Sequence, residues 1–170
     1  FGDIGPYVAK TLYALCTEVL GDFTINTLDS EKVDLCLKYL LDFEKEHSLY
    51  GLQDEIGRLY VKGSKLSEED EKAKESIREI NSLLFSSENQ YVNELYKRSR
   101  ELCIRSQDQF FSILGVKYDR QYPESEVFEL GRKIVKENIG KVFKEDGGAV
   151  IFPGEDYGMN NYVFLTSDGN

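Results

Sequence analysis

The chain has 170 residues, with 31 acidic and 21 basic side chains and a formal net charge of −10. Its 41% hydrophobic content is too high for a mainly disordered chain. No apolar run approaches the roughly 20 residues that span a bilayer. The negative net charge disfavours nucleic-acid binding over a broad basic surface but does not exclude a local contact with RNA. Because the sequence begins with Phe1 rather than Met, we expect a processed product or a cut segment.

The first third of the chain predicts helices. Pro6 favours the start of the first helix, and Gly21 favours its end. A second helix begins near Asp29, and a shorter helix is expected over residues 49–61, where Gly63 breaks it. The second helix has an apolar stripe at helical spacing, formed by Val33, Cys36, Leu37, Leu40 and Leu41.

Two further helices follow, and the second of them is the longest element of the chain. Ser67, with Asp70 three residues later, is a capping signature that predicts the start of a highly charged helix. Residues 89–114 keep one mainly apolar face throughout, and Gly115 ends this helix. At 1.5 Å per residue the long helix measures roughly 39 Å, which predicts a central spine.

After the long helix the pattern changes to short strands and turns. Residues 116–119 favour a strand, and Ser125 caps a helix that Gly140 ends. The tail predicts antiparallel strands at 141–144, 149–152 and 162–166, with turns at 145–148 and 167–169. The chain is therefore expected to be α+β, mainly helical with a long central helix and a small antiparallel sheet near the C-terminus.

Cysteine and histidine are too few for a zinc site. Cys16, Cys36 and Cys103 are isolated in the sequence, and His47 is the only histidine, whereas a structural zinc site needs four converging ligands. The odd count and scattered spacing predict three free, buried thiols with no bound metal. No carboxylate pair stands apart from the 31 acids, so residue spacing alone identifies no catalytic set.

Several segments, in order along the chain, resemble the catalytic region of arginyl-tRNA synthetases. Residues 1–10 contain Gly2-Asp3-Ile4-Gly5, which is similar to a Gly-Asp-x-Gly segment of that family. Residues 93–119 resemble the family's long helix and its Leu-Gly-Val-x-Phe-Asp exit. The later matches are Pro123-Glu124-Ser125, residues 140–152 with their Asp-Gly pair, and residues 162–169 with Ser-Asp-Gly. The chain departs from the family at Tyr7 (usually His or Gln), Tyr118 (usually Phe) and Gly148 (an extra residue).

The resemblance implies that the chain is the middle of a class I Rossmann-type catalytic domain with its insertion. Residues 1–28 would end the first Rossmann half, residues 29–115 would form a helical insertion, and residues 116–170 would form an α/β portion with a small sheet. The family's two ATP signatures, of His-Ile-Gly-His and Lys-Met-Ser-Lys-Ser type, would lie before and after this chain.

The resemblance also implies a function and a site. The parent enzyme would attach arginine to its tRNA through an arginyl-adenylate, using ATP with magnesium, as a cytoplasmic monomer with no membrane or DNA partner. Class I synthetases bind ATP phosphates at helix N-termini, so Asp3, Gly5 and Tyr7 are the expected substrate-binding residues. No catalytic residue and no metal ligand is expected here. The isolated segment should be inactive and should hold no cofactor tightly.

Two alternatives remain at the level of sequence. One is a segment of another class I synthetase, such as a cysteine-specific enzyme. The other is a non-catalytic helical interaction module, which the long helix and the acidic charge also favour. The flanking sequence distinguishes them, because both ATP signatures are expected only beside a synthetase segment.

Overall fold

A computed structural model describes residues 2–47 and 51–167, and these residues fall into two compact units. The first unit comprises Gly2–Gln121 and the second begins at Tyr122. The first unit is helical and the second combines a helix with a small sheet, so the predicted α+β class is confirmed. No helix within these ranges is both long and apolar enough to cross a membrane.

The described part of the first unit is a bundle in which α1 packs against α2, α3 and α4, and α5 packs against the same three helices. Its helices are α1 (Pro6–Leu20), α2 (Ser30–Glu46), α3 (Gly51–Glu69), α4 (Glu71–Ser86) and α5 (Gln90–Ile113). Pro6 begins α1 as predicted, and Gly21 ends it with a positive φ of 71°. Asp29 caps α2 by accepting a hydrogen bond from the Lys32 amide at 2.9 Å.

The boundary between α3 and α4 differs from the prediction. Gly63 does not end a helix but lies inside α3, buried against the backbone of Lys10 in α1. Glycine is required here by close packing rather than by a turn. Ser67 also lies inside α3, and Asp70 caps α4 by accepting from the amides of Lys72 and Ala73. The predicted start at residue 49 lies outside the described residues.

The long helix α5 is present, but its buried face is shorter than predicted. Asn89 caps it by accepting from the amides of Tyr91 and Val92 at 3.0 Å. The buried residues run from Val92 to Ser106, whereas Ile113 is 63% exposed. The helices packed against α5 cover only its N-terminal two thirds. The apolar stripe of α5 therefore extends beyond the part of the helix that is buried.

The strand predicted at residues 116–119 is wrong. Gly115 has a positive φ of 68°, and the Val116 amide donates to the Phe111 carbonyl at 2.9 Å, which closes the end of α5. The Tyr118 ring packs edge-on against Phe111 at 5.0 Å. These residues have β-forming side chains but, within the described chain, no neighbouring strand to pair with.

The described part of the second unit contains one α-helix, a short 3-10 helix (Gly154–Tyr157) and an antiparallel sheet in the order β1-β2-β3. Its elements are α6 (Glu124–Glu137), β1 (Lys144–Asp146), β2 (Ala149–Phe152) and β3 (Tyr162–Leu165). Val135, Val150 and Leu165 form its small buried core, with Ile139 and Phe143 packed against them.

Details of this unit correct four predictions, which concern the cap and the end of the helix, the start of the first strand and the extent of the turn. Pro123, rather than Ser125, stands before α6 as its N-cap residue. The helix ends at Glu137, because the Asn138 carbonyl accepts from the amides at 141–143. These bonds occupy the residues predicted as a strand, and β1 begins at residue 144. The turn consists of Gly147 and Gly148 alone, rather than residues 145–148. Both glycines have a positive φ, as a two-residue hairpin turn of type I′ requires. The predicted turn at 167–169 falls largely outside the described residues.

Candidate functional site

The segment before α1 carries the three residues that the sequence singles out. Gly5 precedes the helix with φ 106° and ψ −168°, a backbone conformation that side chains with a Cβ rarely adopt. Its carbonyl accepts from the Ala9 amide at 3.1 Å and so closes the first turn of α1. Pro6 follows in the first helical position, where its missing N–H costs nothing. The chain therefore enters α1 at a sharp, glycine-dependent angle.

Asp3 is buried and held by the long helix. Its side chain is 3% exposed, and its Oδ2 accepts from Arg100 Nε at 2.5 Å and from the Tyr96 hydroxyl at 3.2 Å. A buried carboxylate is stable only when it is paired and hydrogen-bonded. Asp3 thus connects residues that are 97 positions apart in sequence and fixes the entry to α1 against α5.

Tyr7 lies on the surface at the head of α1. Tyr7 is 68% exposed, and the centre of its ring lies 5.7 Å from the centre of the Tyr60 ring in α3. Lys10 Nζ lies 6.0 Å from the centre of the Tyr60 ring. Exposed aromatic faces beside a cation can stack with a nucleobase or another planar group. The exposed ring of Tyr7, next to the ring of Tyr60 from α3, therefore forms a surface on which such a group can stack.

The structure buries Asp3 and Gly5, whereas Tyr7 is exposed. The sequence indicated these three residues but missed Arg100 and Tyr96. One signal was available: Tyr96 belongs to the apolar stripe of α5, and Arg100 is four residues further on the same helix face. What the sequence could not show is which carboxylate this face meets.

A second polar cluster was not anticipated at all. Glu55 in α3 is 2% exposed. Arg58 donates to both of its carboxylate oxygens, at 2.8 and 2.7 Å, and the Tyr39 hydroxyl donates to Oε1 at 2.6 Å. Arg58 also pairs with Glu18 of α1 at 3.2 Å, and Lys62 forms an ion pair with the same carboxylate. The cluster therefore ties α1, α2 and α3 together.

The protonation states in this cluster follow from these contacts. Burial raises the pKa of Glu55, but the hydrogen bonds from Arg58 and Tyr39 outweigh burial and hold that pKa below its ordinary value. The hydrogen bond from Lys62 likewise lowers the pKa of Glu18. Both carboxylates are fully paired and charged near neutral pH, so the cluster is suited to holding helices together rather than to moving protons.

The cysteines give no metal site. Cys16 and Cys36 are buried as predicted, Cys103 is partly buried, and all three are free thiols. Burial raises the pKa of Cys103 to about 11, so this thiol is unreactive near neutral pH. Within residues 2–47 and 51–167, no group of three or more His, Cys, Asp or Glu side chains could hold a metal ion.

Comparison with models of known protein families gives no match. Among curated proteins, the chain is 28% identical over 158 residues to an arginine–tRNA ligase of Borreliella burgdorferi, covering 87% of this chain and 26% of that protein. It is 27% identical over 182 residues to one of Encephalitozoon cuniculi, covering 96% of this chain and 32% of that protein. A third, from Clostridium beijerinckii, is 28% identical over 117 residues, covering 68% and 21% respectively.

The matched region covers most of this chain but only part of each relative. The chain spans about a quarter to a third of the length of the first two of these relatives. Arginine–tRNA ligases of three organisms thus each match more than two thirds of this chain. The sequence of this chain therefore matches one segment of arginyl-tRNA synthetases over most of its length.

Proposed function

We propose that the protein to which this segment belongs attaches arginine to its tRNA, using ATP and passing through an arginyl-adenylate. One observation carries the proposal: curated arginine–tRNA ligases match 87% and 96% of this chain in the two longest of the alignments above. The partners would be tRNA and arginine, and the parent would act as a monomer in the cytoplasm, without membrane or DNA partners.

The head of α1 fits a phosphate-bearing ligand such as ATP. The first-turn amides of a helix have no acceptor within it, and the helix dipole favours an anion there. No heavy atom lies within 4 Å of the position that a Cβ on Gly5 would take, so the backbone is open on this side. When bound, ATP would supply the α-phosphorus that the arginine carboxylate attacks, with pyrophosphate as the leaving group. This segment's own residues would hold the nucleotide and orient it.

We assign the pocket side of the segment to Asp3, Gly5 and Tyr7. Gly5 has no side chain, so the backbone there could lie close to the nucleotide. The exposed Tyr7 ring offers a face beside Tyr60 on which a planar group could stack. Asp3 belongs to the same segment, but its Oδ2 already receives two hydrogen bonds.

The proposed place of the segment in the parent follows the family order. Residues 1–28 would complete the first Rossmann half, residues 29–115 would be the helical insertion, and residues 116–170 would lead back to the catalytic fold. Support comes from the alignments, which cover 87% and 96% of this chain and 26% and 32% of the two relatives.

A charging assay on the purified parent protein tests the function. Total tRNA, ATP and magnesium are incubated with each of the 20 amino acids in turn, and the aminoacyl group is identified by mass spectrometry. We expect charging with arginine alone. Charging with cysteine would replace the proposal by the cysteine-specific alternative, and no charging by a folded parent would favour a non-catalytic interaction module.

A further inference from the structure

We propose that Arg100 is a positioning residue for arginine–tRNA charging: acting through Asp3, it fixes the entry to α1 against the long helix α5. The inference rests on the proposed function and deepens it. It assigns a role to a residue that lies far from the head of α1 in sequence and carries none of the sequence signals for substrate binding.

The environment of Arg100 differs from that of its neighbours on α5. Its side chain is 25% exposed, whereas those of Arg98 and Arg105 are 44% and 52% exposed and pair with surface acids of α2. Arg100 instead turns inward to the Asp3 carboxylate, which is 3% exposed. An ion pair at this depth has strong geometric requirements, because each charge depends on the other once water is removed.

The segment that Asp3 belongs to needs such an anchor. Asp3 lies between Gly2 and Gly5, and glycine restricts the backbone less than any other residue. Residues 2–5 lie in no helix or strand, so the side chain of Asp3 provides a direct link to a rigid element. Tyr96, one helical turn before Arg100, adds a second hydrogen bond to the same oxygen.

The consequence for the reaction concerns geometry rather than binding contacts. The position of Asp3 sets where the chain enters α1, and hence where Gly5 and the first-turn amides lie. A displacement of about 1 Å in a reacting geometry can lower a rate by about a hundredfold. Loss of Arg100 should therefore lower kcat, while the groups that contact arginine stay in place.

The test compares four variants of the full parent protein: Arg100→Gln, Asp3→Asn, the double variant and Tyr96→Phe. Arg98→Gln is the matched control, since Arg98 lies two positions away on the same helix and pairs at the surface. Circular dichroism and thermal melts establish the temperature at which each variant is fully folded. Charging kinetics at that temperature give kcat, and KM for ATP and for arginine.

We expect Arg100→Gln and Asp3→Asn each to lower kcat by about ten- to a hundredfold, with KM for arginine changed by less than about twofold. The double variant should be no slower than the slower single variant, because both changes remove one interaction. Tyr96→Phe keeps the ring and should lower kcat less, and Arg98→Gln should match the unmodified parent.

Several results would overturn the inference. A folded Arg100→Gln variant with the parent's kcat would remove the positioning role. A rise in KM for ATP or arginine in Asp3→Asn alone would make Asp3 a direct ligand instead. If Arg100→Gln does not fold, Arg100→Lys keeps the charge and should give an intermediate kcat, and an unchanged kcat in both Arg100→Lys and Tyr96→Phe would contradict the inference. Failure of the unmodified parent to charge arginine would instead refute the proposed function.

Discussion

At the scale of single residues, the two buried carboxylates of the described chain are each satisfied by an arginine and a tyrosine. Asp3 meets Arg100 and Tyr96, and Glu55 meets Arg58 and Tyr39. In both cases the carboxylate joins different helices or joins a loop to a helix. Removing one partner of such a group leaves a buried charge or donor uncompensated, which costs more than the pair contributes in isolation.

Glu55→Gln should destabilise the helical unit by about 1–3 kcal/mol at pH 7, because Arg58 and Tyr39 lose their charged acceptor. It should also flatten the acid limb of the stability curve. The pKa of Glu55 is lowered in the folded state, so its stabilising contribution is present above about pH 4.5 and is lost as the pH falls through the folded-state pKa. Urea unfolding between pH 7 and pH 3 measures both effects.

Glu68→Gln is the control for this series, since Glu68 lies on the exposed surface of the same helix. It should leave the free energy of unfolding within about 0.5 kcal/mol of the unmodified chain. A Glu55→Gln variant that loses stability between pH 5 and pH 3 as steeply as the unmodified chain would contradict the assigned role of Glu55.

At the scale of elements, the sequence predicted the features that depend on neighbouring residues, such as helix ends. It missed features that depend on packing between elements. Pro6 at the start of α1, Gly21 after its end and the apolar stripe of α2 are all local signals, and all three are confirmed. Gly63 was misread because a glycine that admits a neighbouring backbone looks, in sequence, like one that breaks a helix. The missing strand at 116–119 has the same origin, since pairing needs a neighbour that composition does not reveal.

Two of the three glycines of α3, Gly63 and Gly57, allow a matched test of this explanation. Gly63→Ala places a Cβ against the backbone carbonyl of Lys10 and should force α3 and α1 apart, lowering stability by about 1–3 kcal/mol. Gly57→Ala meets no atom within 4 Å and should raise stability by up to about 1 kcal/mol through better helix propensity. Thermal unfolding of both variants measures the difference. Equal effects of the two substitutions would show that Gly63 is not in close contact with α1.

At the scale of the whole molecule, the order of helices and sheet was predictable, whereas the candidate site was predictable only in part. The motif resemblance indicated Asp3, Gly5 and Tyr7, and the structure locates each of them without making a pocket of all three. The partners of Asp3 could not be found from sequence, because residues 97 positions apart meet only through the packing of the bundle.

The 170-residue chain alone should form arginyl-tRNA no faster than a protein-free blank and should bind arginine no better than lysine. The reason is that the chain spans only about a quarter to a third of the length of the relatives compared above. Charging assays and titration calorimetry on the purified chain check both expectations. Selective arginine binding by the chain would move the amino-acid pocket into this segment.

The sequence of the parent protein on either side of these residues tests the central claim most directly. It can be read from the encoding gene and checked against the mass of the intact protein. We predict an ATP signature of His-Ile-Gly-His type before residue 1 and one of Lys-Met-Ser-Lys-Ser type after residue 170. Between residue 170 and the second signature we predict a Tyr followed four or five positions later by Asp or Glu, about one helical turn along the chain; at a spacing of four, both side chains lie on one helix face. A parent lacking the Tyr–acid pair would contradict the arginine assignment, and one lacking both ATP signatures would contradict the synthetase assignment itself.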